Sequence, residues 1–229
     1  MTKRNFAVIG LGRFGEAIAT TLTELGQEVI GIDTDDARVN ELADRVPHLV
    51  SLNAIDARAL REAGVADVDV AVISIGANIE ASLLIVMTVK EMGVPIVVAK
   101  ATSAIHGRIL EKIGVDRVIY PEREVATRLA HSLVVPNVLD YIGLSKDFSI
   151  IEVTAPAAFV GQTLRALDLR AKYGLTLIAI KRGAGTPAGE VTKVAPNADE
   201  PILAGDTIAV IGSNQSLNEI EKLLNAKVR

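Results

Sequence analysis

The sequence predicts an α/β protein in which a doubly wound parallel sheet is followed by a small α+β domain. Three observations lead to this prediction. Through the first 120 residues, short Val- and Ile-rich segments alternate with amphipathic helical segments, which is typical of β-α-β units. The alternation stops near residue 135, and shorter elements follow. Apolar residues make up 49% of the chain but aromatic residues only 3%, as expected for helices packed on strands that are buried on both faces.

Six strands are predicted in the first domain. Each is a short run rich in valine and isoleucine, and each is bounded by turn residues or helix-capping residues. They are Phe6–Gly10, Glu28–Asp33, Leu49–Asn53, Val70–Ile75, Ile96–Lys100 and Val118–Tyr120. Because parallel strands are joined by right-handed crossovers, we expect the intervening helices to cover both faces of the sheet.

The connecting helices are predicted from apolar spacing and from their terminal residues. Gly26, Gly93 and Gly114 stand where three of them end, and glycine is the residue most often found there. Asn78 and Ser103 stand where two of them begin, as helix-capping residues do. The predicted helices are Gly15–Leu25, Asp35–Arg45, Asn78–Met92 and Ser103–Ile113.

The second domain is predicted to have less regular elements. A helix over Glu122–Leu133 and a short amphipathic helix over Asn137–Leu144 lead into it. The predicted boundaries are therefore 1–135 for the first domain, 136–147 for a helical linker and 148–229 for the second domain. Its predicted elements are Phe148–Thr154 (strand), Thr163–Lys172 (helix), Leu175–Lys181 (strand), Arg182–Gly189 (hairpin), Glu190–Val194 (strand), Asp206–Gly212 (strand) and Leu217–Asn225 (helix).

Composition and charge exclude several classes of function. The chain has no cysteine, so disulfides and thiolate metal sites are excluded. The formal net charge is −4, and no basic segment carries aromatic residues for stacking bases, so nucleic acid is not expected as a partner. The amino terminus lacks a signal-peptide pattern, and no apolar segment reaches the roughly 20 residues of a membrane span, so we expect a cytoplasmic protein.

A glycine loop joins the first strand to the first helix. Gly10, Gly12 and Gly15 fit the pattern G-x-G-x-x-G of a nucleotide-binding turn. Gly10 would permit a tight turn, Gly12 would let the backbone approach a phosphate, and Gly15 would let the helix pack near the strand. Asp33 ends the next strand about 20 residues further on, where a carboxylate binds ribose hydroxyls and disfavours a 2′-phosphate. The alternative is a tight turn without a ligand.

Arg13 lies inside this loop, where its guanidinium group would meet a phosphate. Backbone donors already serve the pyrophosphate of a dinucleotide, so an additional arginine favours a ligand with a further terminal phosphate, such as ATP or ADP. NAD and NADH stay open as ligands of the same loop. The alternatives for Arg13 are a solvated side chain or an ion pair with Glu16 or Asp35.

Further ligand contacts are expected at the other strand ends, because ligands of doubly wound sheets bind beyond the carboxyl ends of the strands. Asn53 and Asp56 could flank the base, although Asp56 could instead cap a helix. Lys100 could neutralise a phosphate or pair with Glu80. The candidate nucleotide-binding residues are Gly10, Gly12, Arg13, Phe14, Gly15, Asp33, Asn53, Ala54, Asp56, Ser74, Ile75, Gly76 and Lys100.

Glu122 follows the sixth predicted strand in the sequence Tyr-Pro-Glu. A glutamate at a helix start complements the helix dipole, and it could also bind a divalent cation, because carboxylate oxygens are hard ligands. No pair among His48, His106 and His131 has metal-ligand spacing, and the second domain has no histidine. We therefore predict no catalytic centre.

The chain resembles the regulatory subunits of the Ktr and Trk potassium-uptake systems, which are built from RCK (regulator of conductance of K⁺) domains. The resemblance runs through both domains and is strongest for the Ktr type, which has one such unit per chain. The matching segments are 6–15 (FAVIGLGRFG), 75–82 (IGANIEAS), 110–123 (LEKIGVDRVIYPER), 137–142 (NVLDYI) and 169–174 (LRAKYG).

This resemblance implies a Rossmann-like first domain that binds ATP or ADP and has no enzymatic activity. Dimers formed through the crossover after the sixth strand would assemble into an octameric gating ring. The ring would dock beneath a membrane potassium-translocating subunit, at the inner face of the cell membrane. Arg13 would contact the terminal phosphate, Asp33 would bind the ribose, and Glu122 would bind Mg²⁺ or Ca²⁺ at the subunit interface.

The resemblance also implies that the second domain is a ligand-sensing module, which in some family members binds cyclic di-AMP at a dimer interface. Arg170, Ala171, Leu177 and Ile178 lie in the corresponding segment, and its apolar residues could equally form a dimer core. The main alternative to a gating ring is an NAD-dependent oxidoreductase, which would need a catalytic acid–base and a substrate domain. A nucleotide-sensing DNA-binding repressor would need a helix-turn-helix and a basic face.

Overall fold

The computed structural model describes residues 3–134, 138–183, 189 and 191–225. The chain divides into two compact units, Met1–Pro121 and Glu122–Arg229. The helix predicted after the sixth strand therefore groups with the second unit, and the boundary lies before it rather than at residue 135.

Six parallel strands form the sheet of the first unit. They are β1 (Asn5–Ile9), β2 (Glu28–Asp33), β3 (His48–Ser51), β4 (Val70–Ile73), β5 (Ile96–Lys100) and β6 (Arg117–Ile119). Their order is β3-β2-β1-β4-β5-β6, so the chain winds first to one side of β1 and then to the other. The six predicted strands and the doubly wound, Rossmann-like sheet are confirmed.

Helices connect these strands. They are α1 (Arg13–Glu24), α2 (Asp36–Glu41), α3 (Ala57–Glu62), α4 (Ile79–Glu91) and α5 (Ala104–Ile113). The helix α3 was not predicted, because its 6 residues are too few to show a helical period. The helix α2 ends at Glu41, earlier than the predicted end at Arg45.

The sheet is buried on both faces, as its apolar strands predict. Successive residues of β1 enter opposite cores, because side chains alternate along a strand. Ala7 packs in the same cluster as Ile85 of α4 and Leu110 of α5, whereas Val8 packs in the cluster that contains Ala19 of α1. The two layers of helices thus hold the sheet from both sides.

The second unit is an antiparallel sheet with helices. Its helices are α6 (Pro121–Val134), which begins at the boundary, α7 (Leu164–Leu167), α8 (Leu169–Tyr173) and α9 (Asn214–Asn225). Its strands are β7 (Val138–Gly143), β8 (Phe148–Thr154), β9 (Thr176–Arg182), β10 (Val191–Val194) and β11 (Thr207–Ser213). The strand order is β10-β9-β11-β8-β7, and the small α+β domain is confirmed.

The prediction of a helical linker over residues 136–147 is wrong. Residues Val138–Gly143 form the strand β7, which pairs antiparallel with β8. The hydroxyl group of Tyr141 lies 2.6 Å from that of buried Ser149, and Ile142 pairs with Ile150. Tertiary pairing thus outweighs the helical spacing of a short apolar run, which is a weak signal by itself.

The predicted helix and hairpin of the second unit have different outcomes. The helix predicted at Thr163–Lys172 is broken into α7 and α8 at Asp168, whose φ of +42° lies outside the helical range. The predicted hairpin Arg182–Gly189 falls mostly on residues 184–188, which lie outside the described residues.

An ion pair between Arg182 and the buried carboxylate of Asp206 ties the end of β9 to the turn before β11. Asp206 is 1% exposed, and its two carboxylate oxygens each accept a hydrogen bond of 2.9 Å from Arg182. The N–H of Leu203 donates to the same carboxylate at 2.8 Å. Burial opposes ionisation, but these hydrogen bonds and the attraction to Arg182 outweigh it, and they hold the pKa of Asp206 below its ordinary value.

We expect Asp206→Asn to lower the free energy of unfolding by about 2–4 kcal/mol at pH 7, because the buried site would lose its charge partner for Arg182. Urea denaturation would measure the loss. The matched control is Asp199→Asn, because Asp199 forms an exposed ion pair with Arg165, and such surface pairs contribute little to stability. Equal losses in the two variants would contradict the role of the buried carboxylate of Asp206.

The stabilisation by Asp206 should also depend on pH. Because the folded state lowers the pKa of this carboxyl group, the stabilisation is fully present above the unfolded pKa of about 3.9. It is lost as the pH falls through the lower, folded pKa. The difference in unfolding free energy between the wild type and Asp206→Asn should therefore shrink below about pH 4.

Candidate nucleotide-binding site

The glycine loop lies at the point where β1 and β4 adjoin and the strand order reverses. Gly10 has a φ of +92°, a conformation that glycine adopts without strain, and its carbonyl oxygen accepts a 2.9 Å hydrogen bond from Ser74 Oγ. A Cβ on Gly15 would collide with that carbonyl oxygen and would lie 2.7 Å from Ser74 Oγ. The loop geometry thus depends on the close approach of α1 to the ends of β1 and β4.

The amino terminus of α1 has no side-chain cap among the described residues. Its N-cap residue is Gly12, whereas the N-cap residues of α2, α3, α4 and α5 each accept a hydrogen bond with their side chains. A Cβ on Gly12 would meet no atom of the described part of the chain within 4 Å. An uncapped helix terminus beside open space suits a phosphate group.

Arg13 is the first residue of α1, and its side chain is exposed. The two acids considered as its partners both pair with other arginines. Glu16 Oε1 lies 2.5 Å from Arg45 Nη2, and Asp35 Oδ2 lies 3.4 Å from Arg38 Nε. Neither alternative ion pair therefore accounts for Arg13. The side chains of Arg13, Glu16 and Arg38 line an open cleft of about 170 Å³ beside Gly12.

Asp33 is buried at the end of β2, with 9% of its surface exposed. Its Oδ2 accepts a 2.6 Å hydrogen bond from the N–H of Leu11, and its Oδ1 accepts one of 3.0 Å from the N–H of Asp35. Because a carboxylate has about four lone-pair positions, Asp33 can still accept hydrogen bonds from ribose hydroxyls.

Arg38 was not among the candidate residues, although it also belongs to this site. Its Nη1 lies 3.6 Å from Asp33 Oδ2. The positive charge offsets part of the repulsion that Asp33 alone would exert on a 2′-phosphate. Its position three residues after Asp35 on a predicted helix was the only signal in the sequence.

The ends of β4 and β5 complete the rim around the loop. Ile75 and Gly76 follow β4, and Ile75 Cγ1 lies 3.0 Å from the position that a Cβ on Gly10 would take. Lys100 ends β5, with Nζ 5.8 Å from the centroid of the Phe14 ring, within cation–π range. A Cβ on Gly76 would lie 3.7 Å from the same ammonium group. The structure thus brings these predicted residues together.

The candidate residues after β3 have structural roles. The side chain of Asn53 accepts a hydrogen bond within its own turn, and Asp56 caps α3. Ala54 is 4% exposed and packs in the core. The N–H of Leu52 donates to the carbonyl oxygen of Asp33, so this turn adjoins the predicted ribose position. The helix-cap alternative for Asp56 is the one that the structure contains.

Glu122 is exposed in the first turn of α6, and it belongs to the second unit. Among the described residues, no three His, Asp or Glu side chains converge where they could hold a metal ion.

His106 is a buried structural residue. It is 1% exposed, and burial lowers the pKa of its imidazole group, which favours the neutral form. Its Nδ1 lies 3.4 Å from the backbone nitrogen of Thr102. This placement removes it from solvent and from the open cleft beside Gly12.

Comparisons with known proteins extend over both units. The TrkA-N domain model matches residues 6–121, and the TrkA-C domain model matches residues 148–225. The chain is 43% identical to the Ktr system potassium uptake protein C of Bacillus subtilis (strain 168), over 96% of this chain and 97% of that protein. It is 36% identical to the Ktr system potassium uptake protein A of the same organism, over 95% of this chain and 96% of that protein.

The chain belongs to the Ktr/Trk family of potassium-uptake regulatory proteins. The family resemblance read from the sequence is confirmed, and so is the Ktr type, because the match extends over nearly the full length of the Ktr proteins. These relatives are potassium-uptake proteins and not enzymes, as predicted. Among the described residues of this Ktr/Trk family member, no helix is long and apolar enough to cross a bilayer.

The fold of this family member is shared with a solved channel structure. It superposes on the GsuK channel bound to NAD with a TM-score of 0.67 at 14% sequence identity. The match covers 97% of this chain but only 40% of the GsuK chain. At this level of identity, the likeness supports the fold of both units and nothing finer.

We expect Gly15→Ala to lower the free energy of unfolding of the first unit by at least about 1–3 kcal/mol. The added methyl group would overlap the carbonyl oxygen of Gly10. Thermal denaturation would measure the loss. Gly12→Ala is the matched control: its methyl group enters open space at a φ of −66°, so the stability should change by about 0.5 kcal/mol or less. Equal melting temperatures for the two variants would contradict the close approach of α1 to β1.

Proposed function

We propose that the chain is the cytoplasmic regulatory subunit of a potassium-uptake system and that ATP and ADP binding at the glycine loop controls it. Family membership supports the assignment to potassium uptake. The observation that carries the nucleotide assignment is Arg13, which lies at an uncapped helix terminus while Glu16 and Asp35 pair with other arginines. The buried carboxylate of Asp33 supports ribose binding at the neighbouring strand end.

ATP and ADP would differ at Arg13. The α- and β-phosphates would lie against Gly12 and the amino terminus of α1, and only ATP would have a third phosphate for the guanidinium group. NAD or NADH would use the same loop and Asp33 without that contact. The solved GsuK channel is described as bound to NAD, which keeps a dinucleotide as the second candidate ligand.

A ring of subunits would amplify this difference. A shift of the conformational equilibrium from 1:99 to 99:1 needs about 5.5 kcal/mol, whereas one charge-assisted hydrogen bond contributes about 1.5–3 kcal/mol. Dimers that assemble into an octameric ring would sum the contribution over eight sites. The helix α6 supports a dimer contact, because Val125, Leu129 and Leu133 recur every four residues and are 58%, 55% and 75% exposed.

The proposed assembly would also bind a divalent cation and cyclic di-AMP. Glu122 from each subunit would bind Mg²⁺ or Ca²⁺ near the nucleotides at the dimer interface. Cyclic di-AMP would bind a dimer of the second unit, where Arg170 is exposed on α8 and Leu177 and Ile178 are half-buried on β9. The ring would dock beneath a membrane potassium-translocating subunit, as supported by the Ktr relatives.

We expect Arg13→Ala to weaken ATP binding by about 10- to 100-fold and to change ADP binding much less, because the variant loses a charge-assisted contact of about 1.5–3 kcal/mol to the terminal phosphate. Isothermal titration calorimetry with ATP, ADP, NAD and NADH would measure these affinities.

The matched control is Arg117→Ala, which removes an exposed arginine at the amino end of β6, on the opposite edge of the sheet. Its affinities should equal those of the wild type. If Arg13→Ala left the ratio of ATP to ADP affinity unchanged, the terminal-phosphate role would be wrong. Preferred binding of NAD or NADH by the wild type would favour the dinucleotide alternative.

A further inference from the structure

Glu16 places a carboxylate in the first turn of α1, at the helix terminus proposed to bind phosphate. It lines the same open cleft as Gly12 and Arg13, and its side chain is 38% exposed. A carboxylate here is unfavourable for an anionic ligand. The negative charge offsets part of the positive potential at the helix terminus, and it repels phosphate oxygens across the cleft.

Glu16 also competes for Arg13. The two residues are three positions apart on α1, a spacing at which oppositely charged side chains on a helix can pair. Such a pair would draw the guanidinium group of Arg13 away from the terminal phosphate. A free Glu16 would therefore weaken ATP binding in two ways, by repulsion and by capture of the arginine.

The structure contains a different pairing. Arg45 Nη2 lies 2.5 Å from Glu16 Oε1, and it reaches α1 from the segment that follows α2, 29 residues along the chain. Arg45 lies outside the lining of the cleft. Its side chain pairs with Glu16, and its backbone N–H donates to the carbonyl oxygen of Leu42. Both side chains are more than a third exposed, and such surface pairs contribute little to folding stability.

We propose that Arg45 is a positioning residue of the nucleotide site. By pairing with Glu16, it neutralises the carboxylate beside the phosphates and leaves Arg13 available for the terminal phosphate. This inference rests on the proposed function, because it requires ATP to bind at the glycine loop. It predicts that the charge of Arg45 acts on ligand selectivity rather than on the fold.

Calorimetric binding of ATP and ADP to four forms of the full chain would test the proposal: the wild type, Arg45→Ala, the double variant Glu16→Gln with Arg45→Ala, and Lys3→Ala. We expect Arg45→Ala to weaken ATP binding by about three- to thirtyfold, which is the range for one uncompensated charge within a few ångströms of the ligand near a surface. ADP binding should weaken less, so the ratio of ATP to ADP affinity should fall.

The double variant should restore ATP affinity to within about twofold of the wild type, because it removes the carboxylate that Arg45 neutralises. Lys3→Ala is the matched control. It removes an exposed ion pair with Glu28 of 2.6 Å at the amino end of β2, on the opposite edge of the sheet, and it should bind both nucleotides like the wild type. Thermal denaturation without nucleotide should show a change of only a few degrees in every variant.

Two results would overturn the role of Arg45. One is wild-type ATP affinity in Arg45→Ala. The other is a loss of affinity that Glu16→Gln fails to restore, because Arg45 would then support the local fold rather than the charge balance. A wild-type chain that binds neither ATP nor ADP would instead overturn the proposed function itself, so the two failures are distinguishable.

Discussion

The close approach of α1 to the carboxyl end of β1 is the constraint on which the rest of the site depends. It requires a residue without a Cβ at Gly15, because the space is filled by the carbonyl oxygen of Gly10 and by Ser74 Oγ. The same approach puts the uncapped amino terminus of α1 at the point where the strand order reverses. Asp33 is joined to this loop by a hydrogen bond from the N–H of Leu11, so the proposed ribose and phosphate positions are directly connected.

Ion pairs around the loop determine which charged side chains remain available to a ligand. Three arginines near the loop have different contacts. Arg38 pairs with Asp33 and Asp35, and Arg45 pairs with Glu16. Arg13 lies at the helix terminus itself. These exposed pairs add little to stability, since surface ion pairs are screened by water. In the proposed site, they leave the Arg13 side chain available to an incoming phosphate. Under the proposed function, the third phosphate of ATP would gain a contact with Arg13 that ADP lacks.

Much of the fold could be predicted from the sequence, because its signals are local. The strands of the first unit are apolar runs, and the glycine loop has a fixed spacing. Local signals failed where tertiary contacts decide. Residues 138–143 carry a helical spacing but pair with β8 as a strand. The helix α3 was missed for a different reason, because its 6 residues are too few to show a helical period. The pairing of Arg45 with Glu16 joins positions 29 residues apart, and nothing in a single sequence indicates it.

If Arg13 binds the terminal phosphate of ATP, nucleotide exchange should change the state of a potassium-uptake system. The most direct measurement is potassium flux into proteoliposomes that contain the membrane translocating subunit together with this protein, with ATP or ADP at saturating concentration. We expect the flux to differ between ATP and ADP with the wild type and to become equal with Arg13→Ala. Equal flux with ATP and ADP in the wild-type complex would contradict the claim.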